Sequence, residues 1–370
     1  MSENSSIATG FVWESFGPSH LDRIEAIARE PDFRAIGIEF NRHSRAYQWE
    51  QGGGGSAERI SLFNSDKQPG QAALAWQLLR NLWRSPVRHV FLCHYNYPPV
   101  FLAAVVLRLG GRRVYAMLDS KYDDYPRSAP REWFKRLLLA PYHGALVASR
   151  RSVEYVRYLG FRQRPVAQGF DSLDVARLQA AAAGARDLPH AERDFLIVAR
   201  LVGKKNLPFA LRAFAAHRAE ARHPRRLRIV GYGEQEAELR QLAEELGIAA
   251  EVIFTGALDS LAVARAMAEA LCLILPSTEE QFGLVVIEAL AQGLPALVSS
   301  NAGAVDELVD PGGNGWVIDP HRLETLTAAM ALLDRDEVAW QSARAAAFAS
   351  CERGDVRHFV AGVRALVQAG

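Results

Sequence analysis

The sequence predicts two doubly wound α/β domains in tandem. Short apolar runs with strand character alternate with amphipathic helical stretches through most of the chain. The alternation stops near residue 170 and restarts near residue 195. Strands that alternate with helices imply a parallel sheet covered on both faces. The 370 residues, 49% hydrophobic and 23% charged, supply apolar material for two cores.

In the first half, IATGFVW (7–13) is a buried strand bounded by Gly17 and Pro18. SHLDRIEAIARE (19–30) has helical spacing at Leu21, Ile24 and Ile27, with Ser19 as its N-cap. FRAIGIEF (33–40) is a strand, and the glycine-rich QWEQGGGGSAE (48–58) is a loop, because four successive glycines disfavour helix and strand alike. AALAWQLLRNLW (72–83) is an amphipathic helix, HVFLCH (89–94) a strand, VFLAAVVLRLG (100–110) a helix and RVYAML (113–118) a strand. Residues 171–192, with an alanine-rich helix between loops, read as an interdomain linker.

The second half repeats the pattern. Strands are expected at 195–200, 226–231, 250–256, 271–277 and 294–300, and helices at 207–221, 234–247, 261–270, 285–293 and 324–334. A last helix, 356–370, is expected to pack back on the first domain. The domain plan is therefore 1–170, a linker, 193–350 and a C-terminal segment 351–370. Ligands of such sheets sit beyond the carboxyl ends of the strands, so both halves are expected to face a common cleft.

Composition removes several classes of function. Cys93, Cys272 and Cys351 are odd in number and far apart, which excludes a disulfide framework and offers no zinc site. The N-terminal MSENSSIATG lacks the basic-then-apolar layout of a signal peptide. FLAAVVLRLGG (101–111) is the nearest approach to the run of about 20 apolar residues that spans a bilayer. The expectation is a cytoplasmic chain. Residues 1–170 hold 23 Lys and Arg against 15 Asp and Glu, a balance of +8, and the remainder carries −7. A basic first half suits an anionic partner, and it equally suits a solvated surface.

The chemistry concentrates in PSTEEQFGLVVIEALAQGLPALVSSNAGAVDELV (276–309). A strand ends, a polar loop follows, and a helix starts near Leu284. Glu280 lies at the loop tip, and Glu288 lies eight positions on, inside the apolar run VVIEALA, where a carboxylate needs a partner. A loop and helix N-terminus of this kind present backbone N–H groups suited to an anion such as a diphosphate. Arg200 ends a strand, and Lys204 and Lys205 sit in the following loop, an arrangement of cations suited to phosphate oxygens. GYGEQE (231–236) follows another strand and lacks the third glycine of a dinucleotide fingerprint.

These residues resemble the retaining glycosyltransferase family 4, of the GT-B fold. The resemblance runs in order through AR-L-V-GKKN, RIVGYG, VIFTG, LILPSTEEQFGLVVIEALAQGLPALVSS and NAGAVDELV-GGNGWVIDP, nearly end to end in the second half. Its most specific part is the E-x7-E pair, Glu280 and Glu288. The first half is similar more loosely, through its Rossmann-like alternation, Gly17 and VASRRSVEYVRYLGF (147–161). The resemblance implies two Rossmann-like domains and transfer of a sugar from a nucleotide-sugar donor with retention. It implies catalytic roles for Arg200, Lys205 and Glu280. It implies donor contacts at Gly17, Gly231, Phe282, Gly283, Leu284 and Glu288, the last on the ribose. No metal cofactor is expected, since no Asp-x-Asp clamp follows a strand, and no nucleic-acid partner is expected.

On the acceptor side, the strand RVYAMLDS ends in Asp119 where family members often carry a histidine. Asp119 and His94 are the acceptor candidates, with His20 at another strand end. REWFKRLLLAPYHG (131–144) reads either as an interfacial helix resting on anionic lipid or as a core-facing helix with a basic edge. The acceptor is a glycan, a lipid-linked sugar or a small molecule, with possible contact to a membrane face. The alternative to an enzyme is an inactive sugar-nucleotide-binding scaffold of a polysaccharide assembly complex. A dinucleotide-dependent dehydrogenase is disfavoured by the missing GxGxxG after the first strand.

Overall fold

The computed structural model describes residues 6–42, 55–65, 69–221 and 225–370. It contains two units. The first comprises residues up to Tyr122, Pro126–Asp174 and Val356–Gly370, and the second comprises Asp123–Tyr125 and Val175–Asp355. Among the described residues no helix is long and apolar enough to cross a membrane.

The first unit runs β1 (Ile7–Trp13), α1 (Pro18–Ala28), β2 (Phe33–Asn41), β3 (Glu58–Phe63), α2 (Gln71–Arg84), β4 (His89–Leu92), α3 (Pro98–Leu109), β5 (Arg113–Leu118), α4 (Ala129–Leu138), β6 (Gly144–Val147), α5 (Arg150–Tyr158) and β7 (Val166–Gln168). The strands form one parallel sheet in the order β3-β2-β1-β4-β5-β6-β7. Its residues alternate between two cores, as the strand period of two requires. Val12, Val90, Leu92, Val114, Ala116 and Val147 meet α2, α3 and α5 on one face. Phe11, Phe91, Tyr115 and Leu146 point to the other, where α1 packs.

Two expectations are corrected here. The cap of α1 is Gly17 rather than Ser19, with Pro18 at the first helical turn, because the proline's fixed φ starts the helix one residue early. A strand that the sequence reading did not place follows the glycine-rich loop and shares only Glu58 with it: β3 pairs with β2 as an edge strand, and its half-exposed ERISLF lacks the apolar run of a central strand. Residues 55–57 are loop, and 48–54 lie outside the described residues.

The second unit runs α6 (Val175–Ala181), β8 (Phe195–Val198), α7 (Leu207–Glu220), β9 (Leu227–Val230), α8 (Glu236–Glu245), β10 (Val252–Gly256), α9 (Ser260–Glu269), β11 (Cys272–Leu275), α10 (Leu284–Ala291), β12 (Ala296–Ser299), α11 (Val305–Leu308), β13 (Gly315–Ile318), α12 (Leu323–Arg335) and α13 (Glu337–Ser350). Its parallel sheet has the order β10-β9-β8-β11-β12-β13. The division between units falls at Asp174/Val175 instead of across a 171–192 linker. The physical reason is that Asp174 is tied within the first unit, its N–H donating to Asp22 at 3.1 Å, while α6 packs on α9 and α10. The segment 351–370 is divided as well, at Asp355/Val356.

The last helix, α14 (Arg357–Gln368), belongs to the first unit and covers the aromatic face of its sheet. Phe359 is fully buried with its ring 5.5 Å from Phe11, and the Tyr115 hydroxyl donates to the Leu366 carbonyl at 3.1 Å. Truncating a buried aromatic removes its transfer free energy and leaves a cavity. Phe359→Ala is therefore expected to destabilise the first unit by about 3–5 kcal/mol, read from the shift of its urea unfolding midpoint. A loss below about 1 kcal/mol would show that α14 is not part of the core.

Candidate functional site

In the second unit the strand order reverses between β8 and β11, since β8 is followed on one side by β9 and on the other by β11. At such a reversal the loops leaving the two strands diverge and open a binding crevice. The loop after β8 carries Arg200, Lys204 and Lys205, and the loop after β11 carries Ser277 to Gly283. Backbone bonds fasten the two together. The Lys204 carbonyl accepts from the Thr278 N–H at 2.9 Å and from the Thr278 hydroxyl at 3.3 Å.

Asn206 ends the first loop at φ +55°, and its amide donates to the Pro276 and Pro320 carbonyls at 3.2 and 2.9 Å. A third loop, after β12, joins them. Asn301 Nδ2 donates to the Thr278 carbonyl at 2.9 Å, and Ala304 N–H donates to the Phe282 carbonyl at 2.9 Å.

Within this frame the Lys205 ammonium pairs with the Glu280 carboxylate. The Ser277 hydroxyl donates to the same oxygen at 3.0 Å. Glu280 is 9% exposed, so this loop residue is a buried, held carboxylate. Glu279, its neighbour, takes the exposed position. Gly283 follows in the left-handed region at φ +109° and starts α10, whose N-terminus no side chain caps. Phe282 is buried, Leu284 opens the helix and Glu288 stands half-buried one turn further in. Arg200 is half-buried two residues beyond the end of β8.

Gly231 has a packing role that sequence alone did not show. It lies at φ +137°, and a Cβ there would stand 1.9 Å from the Ala199 carbonyl oxygen. The loop after β9 thus lies directly on the Ala199–Leu201 backbone, with the Leu201 N–H donating to the Tyr232 carbonyl at 2.9 Å. It supports the segment that carries Arg200.

The reversal of the first unit lies between β1 and β4. Gly17 and His20 follow β1, and His94 follows β4. The Gly17 N–H donates to His20 Nδ1 at 3.0 Å, and the His20 ring lies 5.1 Å from Trp13. Burial, then the Arg23 guanidinium and His94, push the His20 imidazole well below its usual range. The buried Glu39, unmarked in the sequence, accepts from the Phe16 N–H at 2.6 Å and from the Ser61 hydroxyl at 2.6 Å, and so fixes the turn before Gly17. His94 is exposed at φ +58°. Asp119 is half-buried beyond β5, its carbonyl accepting from the Ser152 hydroxyl at 3.0 Å. Among the described residues no group of three His, Cys, Asp or Glu has a metal-binding arrangement.

Two parallel-sheet Rossmann-like units, each with a strand-order reversal, are the architecture of the GT-B class of fold. Residues 182–348 match the model of the family described as Glycosyl transferases group 1. Glycogen synthase of Mycobacterium tuberculosis is 35% identical over 178 residues, 48% of this chain and 42% of that protein. The exopolysaccharide phosphotransferase of Streptomyces coelicolor is 37% identical over 145 residues, 39% of this chain and 15% of that protein. The chain thus spans less than half the length of these curated relatives. HepE of Anabaena, solved in complex with UDP and glucose, superposes with a TM-score of 0.76 at 17% identity, covering 98% of this chain and 100% of HepE.

The tight approach at Gly231 gives a direct expectation. A methyl group there meets backbone, which cannot rotate away, in a region of φ that alanine disfavours. Gly231→Ala should lower the stability of the second unit by at least about 1–3 kcal/mol, measured by chemical denaturation. Unchanged stability would show that the β9 loop does not press on Ala199.

Proposed function

We propose that this protein is a retaining glycosyltransferase that moves a hexosyl or related sugar from a nucleotide-sugar donor to a glycan, lipid-linked or small-molecule acceptor. Surface polysaccharide or glycoconjugate biosynthesis is the setting in which such a transfer belongs. The observation that carries the reading is the Lys205–Glu280 pair, which joins the loop that carries Arg200 to the loop that leads into the uncapped N-terminus of α10, within the segment that matches the group 1 family model.

The chemistry follows from when charge appears. The acceptor hydroxyl oxygen forms a bond to the anomeric carbon while the bond from that carbon to the diphosphate oxygen breaks. The hydroxyl proton passes to the departing phosphate oxygen, and attack on the face the diphosphate leaves retains the anomeric configuration. Arg200, Lys205 and the N–H groups of Phe282, Gly283 and Leu284 stabilise the charge that grows on the leaving group. Glu280 holds donor-sugar hydroxyls and Glu288 the ribose. Gly17 contributes to donor binding, and His94 and Asp119 receive the acceptor. The reading keeps the enzyme cytoplasmic and peripheral to a membrane face.

The test is thermal stabilisation by UDP-, GDP-, ADP- and dTDP-sugars, with UDP-glucose first because HepE was solved with UDP and glucose. A donor at 100 times its dissociation constant stabilises the folded state by about 2.7 kcal/mol. A response to none of the four overturns the reading, and a response without turnover selects an inactive scaffold.

Glu288→Ala should weaken nucleotide binding by about 1.5–3 kcal/mol, the worth of a hydrogen bond to a charged group. Unaltered affinity in a calorimetric titration removes Glu288 from the site. Lys205→Ala and Arg200→Ala should each lower the single-turnover rate about 10²–10³-fold at saturating donor. If they raise the donor dissociation constant and leave that rate untouched, both are ground-state clamps. Because the leaving charge is assigned to these cations and not to a divalent ion, turnover should survive EDTA. Loss on chelation with recovery on adding magnesium or manganese would reverse that assignment.

A further inference from the structure

The exposed apolar side chains of the first unit are distributed on one side only. On the sheet face covered by α1 and α14 no large apolar side chain is exposed among the described residues. The opposite layer exposes Trp76 and Trp83 on α2, Leu102 and Leu109 on α3, and Trp133, Phe134 and Leu137 on α4. The exposures are large: 67% for Trp76, 83% for Leu109 and 61% for Trp133. Tyr122 and Tyr158 extend the patch beside α4, their rings 5.5 Å apart.

The charge of this layer has a single sign over a long stretch. From Gly70 to Leu118, which contains α2 and α3, the sequence holds Arg80, Arg84, Arg88, Arg108, Arg112 and Arg113 and no Asp, Glu or Lys. On α4 the one acid, Glu132, turns inward, accepting from the Tyr155 hydroxyl at 2.6 Å and from Lys135 at 3.0 Å. Its outward residues are therefore Arg131, Trp133, Phe134, Arg136 and Leu137. Several aromatics are pinned by arginine. Arg112 lies over the Trp83 ring at 5.7 Å, and Arg136 lies over Tyr158 at 5.0 Å while donating to its carbonyl at 2.8 Å.

We propose that the α2–α3–α4 face docks the protein on an anionic lipid bilayer, with Trp76, Trp83, Leu109, Trp133 and Phe134 entering the headgroup–acyl boundary and the arginines meeting the lipid phosphates. This deepens the peripheral-membrane part of the proposed function and rests on it only for its biological setting. Three partners compete for such a face. In a two-fold dimer a patch meets its own copy, which would press the arginines of α2, α3 and α4 against one another, and among the described residues none of these three helices exposes an acid. A nucleic acid would take the arginines and stack on the aromatics, and it would leave Leu102, Leu109 and Leu137 without a use. A bilayer uses all three residue types, with tryptophan at the interface, aliphatics below it and cations at the headgroups.

The test is co-sedimentation of the full chain with vesicles of phosphatidylcholine alone and of phosphatidylcholine with a third phosphatidylglycerol, at low and high salt. Binding is expected to the anionic vesicles only, to fall with salt, and to bring tryptophan fluorescence within reach of brominated acyl chains. Arg80→Ala with Arg84→Ala should weaken it about 25-fold, at about fivefold per arginine. Trp133→Ser with Phe134→Ser should weaken it at least tenfold. Each variant is checked for an unchanged melting temperature and an unchanged response to nucleotide-sugars, none of these residues being in the donor site.

Failure to bind anionic vesicles, equal binding to both vesicle types, or wild-type binding by the variants overturns the proposal. So does a dimer that the tryptophan variants dissolve, or displacement from vesicles by a short oligonucleotide. Vesicle binding without any response to nucleotide-sugars would sink the glycosyltransferase reading and leave this surface standing.

Discussion

Glu280 is a carboxylate taken out of water at the end of a parallel strand, and such a charge is tolerated only when it is paired and hydrogen-bonded. Lys205 and Ser277 meet that condition, one from the loop after β8 and one from the loop after β11. The pair therefore does more than place two functional groups. It sets the distance between two loops that leave adjacent strands and diverge. The Lys204 carbonyl, Asn206 and Asn301 repeat the fastening through backbone atoms. A site of this kind is organised before any ligand arrives, which lowers the ordering that binding must supply. An anion or a sugar hydroxyl entering here meets a cation and a carboxylate already satisfied by each other, so it must offer both partners something as good.

Much of this was legible in the sequence, for identifiable reasons. Central strands such as FLIV and LCLIL are buried on both faces and read as unbroken apolar runs. Helices such as α2 carry their apolar residues at regular spacing. The edge strand β3 was missed because one side of it is wet and its composition is mixed. The helix α13 was missed because its alanine-rich EVAWQSARAAAFAS has little periodic contrast, although Asp336 caps it by accepting from Ala339 N–H at 2.9 Å.

The site divides in the same way. The residue types of the loops, lysines in one and glutamates in the other, announce phosphate and hydroxyl chemistry. Nothing in the sequence says that Lys205 and Glu280, 75 positions apart, neutralise each other. Nor does a GxG motif reveal that Gly231 lies directly against the carbonyl of Ala199. Sequence spacing reports local geometry well, whereas contacts across a sheet depend on a strand order that has to be seen.

The return of α14 to the first unit has a consequence for how the protein is made. A chain emerging from the ribosome presents β1 to β7 early, with Phe11, Phe91 and Tyr115 lining a sheet face that only residues 357–368 complete. The second unit, contained within Val175–Asp355, has its own core in hand before that helix is synthesised. Translation thus leaves the earlier-made unit waiting, with an aromatic surface open to chaperones or to aggregation, until residues 357–368 arrive.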